Sequence, residues 1–194
     1  MSTLKIILAS TRPGTIGPAI GSFVADRARS QGRFDRIEVL DLAEIALPFL
    51  DEPHHPRLGK YTQPHTFAWS RAVHGADAFV IVMPEYNGGF PAAMKNALDY
   101  LHAEWRAKPL GVLTYGGGAG GGTGAASMLA PVTKALGMVT AEHGVSIGGA
   151  PRLVVDGEFL ATTAIEQAAD LMLAEVADLD ADLGPQRAAV LAAS

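Results

Sequence analysis

The sequence contains no cysteine. That excludes disulfides, thiolate zinc sites, iron–sulfur clusters and a cysteine nucleophile. Charge is sparse as well: 18% of the residues are charged, and the formal net charge is −5. The basic residues are scattered, whereas a nucleic-acid surface needs clustered Lys and Arg to replace phosphate counterions. Long apolar runs are missing. The longest, Ala78–Pro84, falls far short of the roughly 20 residues of a membrane span. The N-terminus carries Leu4, Ile6, Ile7 and Leu8 but no basic stretch ahead of a long apolar one, so no secretory leader is expected. These absences point to a cytoplasmic chain that works without nucleic acid or membrane.

What the sequence does have is apolar residues, at 48%, and glycine, at 22 of 194 positions. One domain is expected at this length, over residues 1–185. Thr3–Ala9 reads as a short strand that stops at Ser10-Thr11-Arg12-Pro13-Gly14. Ile16, Ile20, Phe23, Val24 and Ala28 then follow helical spacing. Arg36–Leu40 is a second strand, followed by a long Pro-rich connection, Leu42–Gln63. Trp69 to Ala76 suggest a helix. Asp77–Pro84 has the continuous apolar character of a buried parallel strand. Pro91, Met94, Leu98 and Leu101 mark the next helix, Leu110–Tyr115 the next strand, and Leu129, Val132 and Leu136 the helix after that. Either Val139–Ile147 or Leu153–Val155 is expected to supply a fifth strand. Thr163 and Glu166 are spaced as a capping box for a last helix, with Gly184-Pro185 as its stop and 186–194 as a loose tail. The alternation predicts an α/β fold: a five-stranded parallel sheet of order 2-1-3-4-5 with helices on both faces.

Three unusual loops each follow a strand, and in that strand order they are neighbours at the sheet's C-terminal edge, where such folds bind ligands. The first, Ser10–Gly17, has hydroxyls on Ser10, Thr11 and Thr15, the cation Arg12 and a helix N-terminus. That set suits an anion, or else is a capped helix with a surface arginine. The second is Glu85–Phe90, where Tyr86 and Asn87 precede a Gly pair that permits close approach to a flat ligand, or form a tight turn into the helix at Pro91. Glu85 reads as a helix cap. The third is Gly116–Gly124, in which seven of nine residues are Gly. Lying between an apolar strand and an apolar helix, it reads as a phosphate nest or a shelf for a ring rather than a linker. No catalytic triad or nucleophile elbow is present. His54 and His55 beside Asp51 and Glu52 are read as solvent-facing, so no metal site is expected.

These stretches resemble the NAD(P)H-dependent FMN reductase family. Ala9-Ser10-Thr11-Arg12-Pro13-Gly14-Thr15-Ile16-Gly17-Pro18 is similar to its first loop. Pro84-Glu85-Tyr86-Asn87-Gly88-Gly89-Phe90-Pro91, with Lys95-Asn96-Ala97-Leu98-Asp99, resembles its most specific motif, and Thr114-Tyr115-Gly116-Gly117 its third loop. The resemblance implies a flavodoxin-like fold that binds FMN without a covalent bond. It implies hydride transfer from NAD(P)H through FMN to flavin, quinone or a similar small acceptor, usually in a homodimer or homotetramer. It further implies that Ser10, Arg12 and Thr15 hold the FMN phosphate with backbone from Ile16 and Gly17. Pro84, Glu85, Tyr86 and Asn87 would line the ribityl chain and ring, and Tyr115, Gly116, Gly117 and Gly118 would meet the ring from the other side. No protein group is expected to be catalytic, because the flavin carries the chemistry. The same loops would also serve an FMN-binding electron carrier or a flavin-binding regulatory domain. The sequence departs from relatives in having Gly122-Thr123-Gly124 where many carry Arg.

Overall fold

A computed structural model describes residues 1–192. Its central strands are β1 (Thr3–Leu8), β3 (Ala78–Pro84) and β4 (Pro109–Tyr115), joined by β2 (Arg36–Asp41) at one edge. Every residue of β1 and β3 is buried, as a parallel strand covered on both faces requires. The other edge is broken into two short pieces, β5 (Val139–Thr140) and β6 (Val145–Ile147), both parallel to β4. The order is β2-β1-β3-β4-β5, with β6 also on β4, so the expected strand order holds. The fifth position is split because the chain swings outward between the two pieces. There the N–H of His143 donates to the Glu175 carboxylate (3.0 Å) instead of to β4.

Helix α1 (Gly17–Gln31) and the last helix, α6 (Thr163–Ala192), cover one face of the sheet. The other face is covered by α3 (Pro64–His74), α4 (Ala92–Asp99) and α5 (Thr123–Ala135). Alternate strand residues feed the two cores: Leu4, Ile6, Val80 and Val82 one, Ile7, Phe79, Ile81 and Met83 the other. In the second core the indoles of Trp69 and Trp105 meet edge to face at 6.0 Å. Each indole N–H donates to a carbonyl of α4, Trp69 to Ala97 (2.8 Å) and Trp105 to Leu98 (3.2 Å).

Leu153–Val155 does not join the sheet. Val154–Val155 (β7) pairs with Glu158–Phe159 (β8) in a hairpin, turned by Asp156-Gly157 with both φ angles positive. That dipeptide is the favoured chemistry for a two-residue turn. Phe159 then packs on Phe23 of α1.

Helix α6 begins one residue after Thr162, whose carbonyl accepts from Glu166 N–H (3.0 Å), so Thr163 is not its cap. It also runs on through Gly184-Pro185 to Ala192, which corrects the expected loose tail over 186–192. Residues 193 and 194 lie outside the described residues. A helix-interior proline costs about 3 kcal/mol. The opposing contact is Arg187, only 8% exposed, which donates to Asp180 (2.6 Å) and pairs with Asp77 (3.3 Å) just before β3.

The connection after β2 begins with a single turn, α2 (Leu42–Ile45), and is tied down thereafter. Asn96 of α4 donates to the Pro48 carbonyl (2.7 Å) and accepts from Leu50 N–H (3.0 Å). The Glu52 carboxylate accepts from the N–H groups of Thr62 (2.8 Å) and Gln63 (2.9 Å).

Candidate functional site

Strands β1, β3 and β4 lie side by side and end at Leu8, Pro84 and Tyr115. Being parallel, they release their chains on one edge, where the three loops surround a cavity of about 410 Å³. The first loop lines it with Arg12, Gly14, Thr15 and Ile16. The second supplies Pro84, Glu85 and Tyr86, and the third Tyr115, Gly116 and Gly117. Pro151 closes the rim and was not legible in the sequence. Long-range backbone bonds carry it there: Gly116 N–H to Ile147 (3.1 Å) and Ala150 N–H to Gly116 (3.0 Å).

Four other expected residues stand around the cavity without lining it. Ser10 is buried behind it, with its hydroxyl 2.8 Å from the Tyr86 hydroxyl. Gly17 opens α1 and donates its N–H to Thr15 Oγ1 (3.2 Å). Asn87 sits with Gly88 at the tip of a tight turn, both at positive φ, closed by reciprocal bonds between Tyr86 and Gly89. Gly118 offers its carbonyl to Gly149 N–H (3.3 Å).

The first-loop side of the cavity is built for negative charge. Arg12 is the only cationic side chain among the lining residues. The α1 N-terminus has no acidic residue in its first turn, and the positive end of its dipole is left uncompensated. Two hydroxyl pairs bridge the loops there, Ser10 with Tyr86 and Thr15 with Tyr115 (3.2 Å). Burial raises the Tyr115 phenol above its ordinary range, so it stays a neutral donor at physiological pH.

The glycine run divides into two parts. A Cβ at Gly117 or Gly118 would meet nothing within 4 Å, and at Gly116 nothing nearer than 3.7 Å, so this backbone faces open space. Gly121 and Gly124 are different. A Cβ at Gly121, where φ is +58°, would lie 2.7 Å from Ile147 N, and one at Gly124 would lie 2.8 Å from Glu85 Oε2. Glu85 therefore does cap a helix, but it is α5 rather than α4: its carboxylate accepts the Ala125 N–H (3.2 Å). The glycine at 124 makes room for that cap.

Across the first loop lies a larger apolar hollow of about 540 Å³, walled by Thr11, Leu42, Leu47, Pro48, Phe49 and Ala93. Phe49 stands 84% exposed at its rim. The histidine and carboxylate neighbours in this connection do not gather. His55 caps a short turn by accepting from Arg57 N–H (3.1 Å), and Asp51 pairs with His65 (2.9 Å). Among the described residues no group of three or more His, Cys, Asp or Glu stands close enough to hold a metal ion, and no helix is long and apolar enough to cross a membrane.

The sequence model of the NADPH-dependent FMN reductases matches residues 3–152. The chain belongs to this family. The match takes in all three loops and Pro151, and ends before β7, β8 and α6. An NAD(P)H-dependent FMN reductase of Schizosaccharomyces pombe is 44% identical over 120 residues, which is 61% of this chain and 60% of that protein. One of Saccharomyces cerevisiae is 38% identical over 125 residues, 59% of this chain and 65% of that protein. The chain thus spans about three fifths of the length of these curated relatives. Among solved structures, a flavoenzyme NAD(P)H:acceptor oxidoreductase of Paracoccus denitrificans superposes with a TM-score of 0.74 at 19% identity, covering 94% of this chain and 98% of that one. At that identity the likeness shows the shared flavodoxin-like fold of this FMN reductase family member.

Proposed function

We propose that this FMN reductase family member is a cytoplasmic, FMN-dependent NAD(P)H oxidoreductase. It would pass reducing equivalents from a nicotinamide to flavin, a quinone or a similar small acceptor. The observation that carries this reading is the cavity itself. Its first-loop end joins Arg12, two hydroxyl pairs and a helix N-terminus, and its other end exposes bare glycine backbone. A phosphate monoester suits the first end and a flat ring the second. The volume of about 410 Å³ lies within the range of cofactor sites, about 300–1,000 Å³.

Hydride acceptance and electron release are chemistry that a bound flavin itself supplies. The chain's part is to hold and orient. Arg12, Ser10 and Thr15, with backbone at Ile16 and Gly17, would hold the phosphate. Pro84, Glu85, Tyr86 and Asn87 would border the ribityl chain and one side of the ring. Tyr115, Gly116, Gly117 and Gly118 would border the other. The chain from β1 through α6 would act as one unit in this role. The names of the relatives, which include an FMN-dependent NADPH-azoreductase and a 2-hydroxy-1,4-benzoquinone reductase, support small redox acceptors. Exposed Phe49, Leu58 and Phe67 near the connection support a homodimer or homotetramer that covers them.

The test is a turnover assay of the FMN-loaded protein with NADH or NADPH and a quinone or ferricyanide. Acceleration over the same concentration of free FMN is expected. FMN binding without acceleration would make the chain an electron carrier instead.

A further inference from the structure

Of the six methionines, four are sealed in the cores: Met83, Met94, Met138 and Met172. Met1 is the first residue. Met128 stands apart, 55% exposed on α5 while its neighbour Leu129 is buried in the core. Its thioether nevertheless has a partner. A Cβ on Gly89 would lie 3.2 Å from Met128 Sδ and 3.7 Å from its Cε. Gly88 needs its glycine for a φ of +79°, but Gly89 is not at positive φ. At 89 it is the thioether that takes the room of a side chain.

Gly89 closes the turn of the second loop. Its N–H donates to the Tyr86 carbonyl (3.0 Å) and its carbonyl accepts from Tyr86 N–H (2.9 Å). Tyr86 in turn lines the cavity, and its hydroxyl meets Ser10. An accessible, oxidisable sulfur thus packs on the turn that holds a wall of the cavity. With a hydroperoxide such as hydrogen peroxide, the sulfur attacks one peroxide oxygen. An S–O bond forms and the O–O bond breaks. The proton on the transferred oxygen passes to the departing hydroxide, which leaves as water. Sulfur loses two electrons and the peroxide gains them. The sulfoxide is polar where the thioether was apolar. It puts a strong acceptor beside a turn held by only two hydrogen bonds, at a contact with no room for another atom.

We propose that Met128 is an oxidation site through which a hydroperoxide loosens the second loop and weakens the hold of the cavity on flavin. The effect on flavin rests on the reading of the cavity as a flavin site. The oxidation and the loosening of the turn do not.

The test treats the purified protein with graded hydrogen peroxide and takes three readings. Peptide mass spectrometry should find sulfoxide at Met128 at least about tenfold sooner than at Met83, Met94, Met138 or Met172. Amide hydrogen exchange over 85–90, read without flavin, should quicken about three- to tenfold. Flavin fluorescence quenching should show FMN and riboflavin weakened alike, again about three- to tenfold. Met128→Leu keeps an apolar contact of similar volume and retains Met1. It should bind FMN within about twofold of wild type and lose the response to peroxide. Met128→Gln should bring the faster exchange and weaker binding without peroxide, and methionine sulfoxide reductase should reverse the change in the oxidised wild type. If Met128→Leu responds to peroxide as wild type does, or if Met128 is oxidised and exchange over 85–90 does not change, the role of Met128 is overturned. If exchange quickens as expected but the untreated protein binds neither flavin, the loosening stands and the flavin reading of the cavity falls.

Discussion

At the scale of single residues, Gly117 and Gly121 share one run and do different work. Gly117 has open space where a side chain would begin, beside the cavity. Gly121 has a left-handed φ and the backbone of β6 2.7 Å from a would-be Cβ. A left-handed L-residue costs roughly 1–2 kcal/mol, and overpacking adds about 1–3 kcal/mol. Gly121→Ala is therefore expected to destabilise the protein by about 2 kcal/mol or more in urea unfolding. Gly117→Ala should change stability by no more than about 0.5 kcal/mol and weaken FMN instead. If the two variants were equally destabilised, the division of the run into a packing part and a binding part would be wrong. The same scale accounts for the glycine at 124. Glycine at 124 leaves room for the Glu85 carboxylate that caps α5, a partner 39 positions away that no local pattern displays.

At the scale of elements, the sequence displays whatever is settled by local pattern. The buried strand β3 shows as a continuous apolar run ending at Pro84, β1 and β4 show as short, mainly apolar stretches, and the three loops are legible because each follows one of them. The fifth strand is ambiguous in the sequence because a distant carboxylate, Glu175, draws the chain away between β5 and β6. Pro185 is a sound stop signal by propensity. It is overridden by Arg187, buried against Asp180 and Asp77, an anchor more than a hundred residues from one of its partners. Pro151 and the crossing of the Tyr115 hydroxyl to Thr15 are hidden for the same reason: strand pairing, not neighbouring sequence, brings those atoms together. The long connection after β2 carries plain turn signals. Its fixed course, by contrast, depends on Asn96 of α4 donating to Pro48 and accepting from Leu50, and on the Glu52 carboxylate accepting from Thr62.

At the scale of the whole molecule, the two edges of the sheet use their donor groups differently. The C-terminal edge keeps its donors facing the cavity. The N-terminal edge buries Lys108, 1% exposed, just before β4. Its ammonium donates to the last carbonyls of α3, Val73 (2.7 Å) and His74 (3.1 Å), and lies over the Phe79 ring. Burial, and then the charge of Arg187, bring its pKa down from 10.5 to about 7, against the opposite pull of Asp77 and Glu104. Between those values the unfolded chain holds a proton that the folded chain has released. Stability therefore rises with pH across that window, by at most about 1.4 kcal/mol per unit. Unfolding in urea at steps from pH 7 to pH 9 should show that rise, and Lys108→Met should flatten it. A wild-type profile that falls over this range would contradict the assignment.

The whole arrangement, three loops at one sheet edge around a site for an anionic, flat cofactor, stands or falls on whether FMN binds there. The most direct measurement is to incubate the purified protein with excess FMN, separate it by gel filtration and read the flavin absorbance of the protein peak. About one FMN per chain is predicted, released unaltered when the protein is denatured. A colourless protein peak, with all the flavin eluting as free small molecule, would contradict the account.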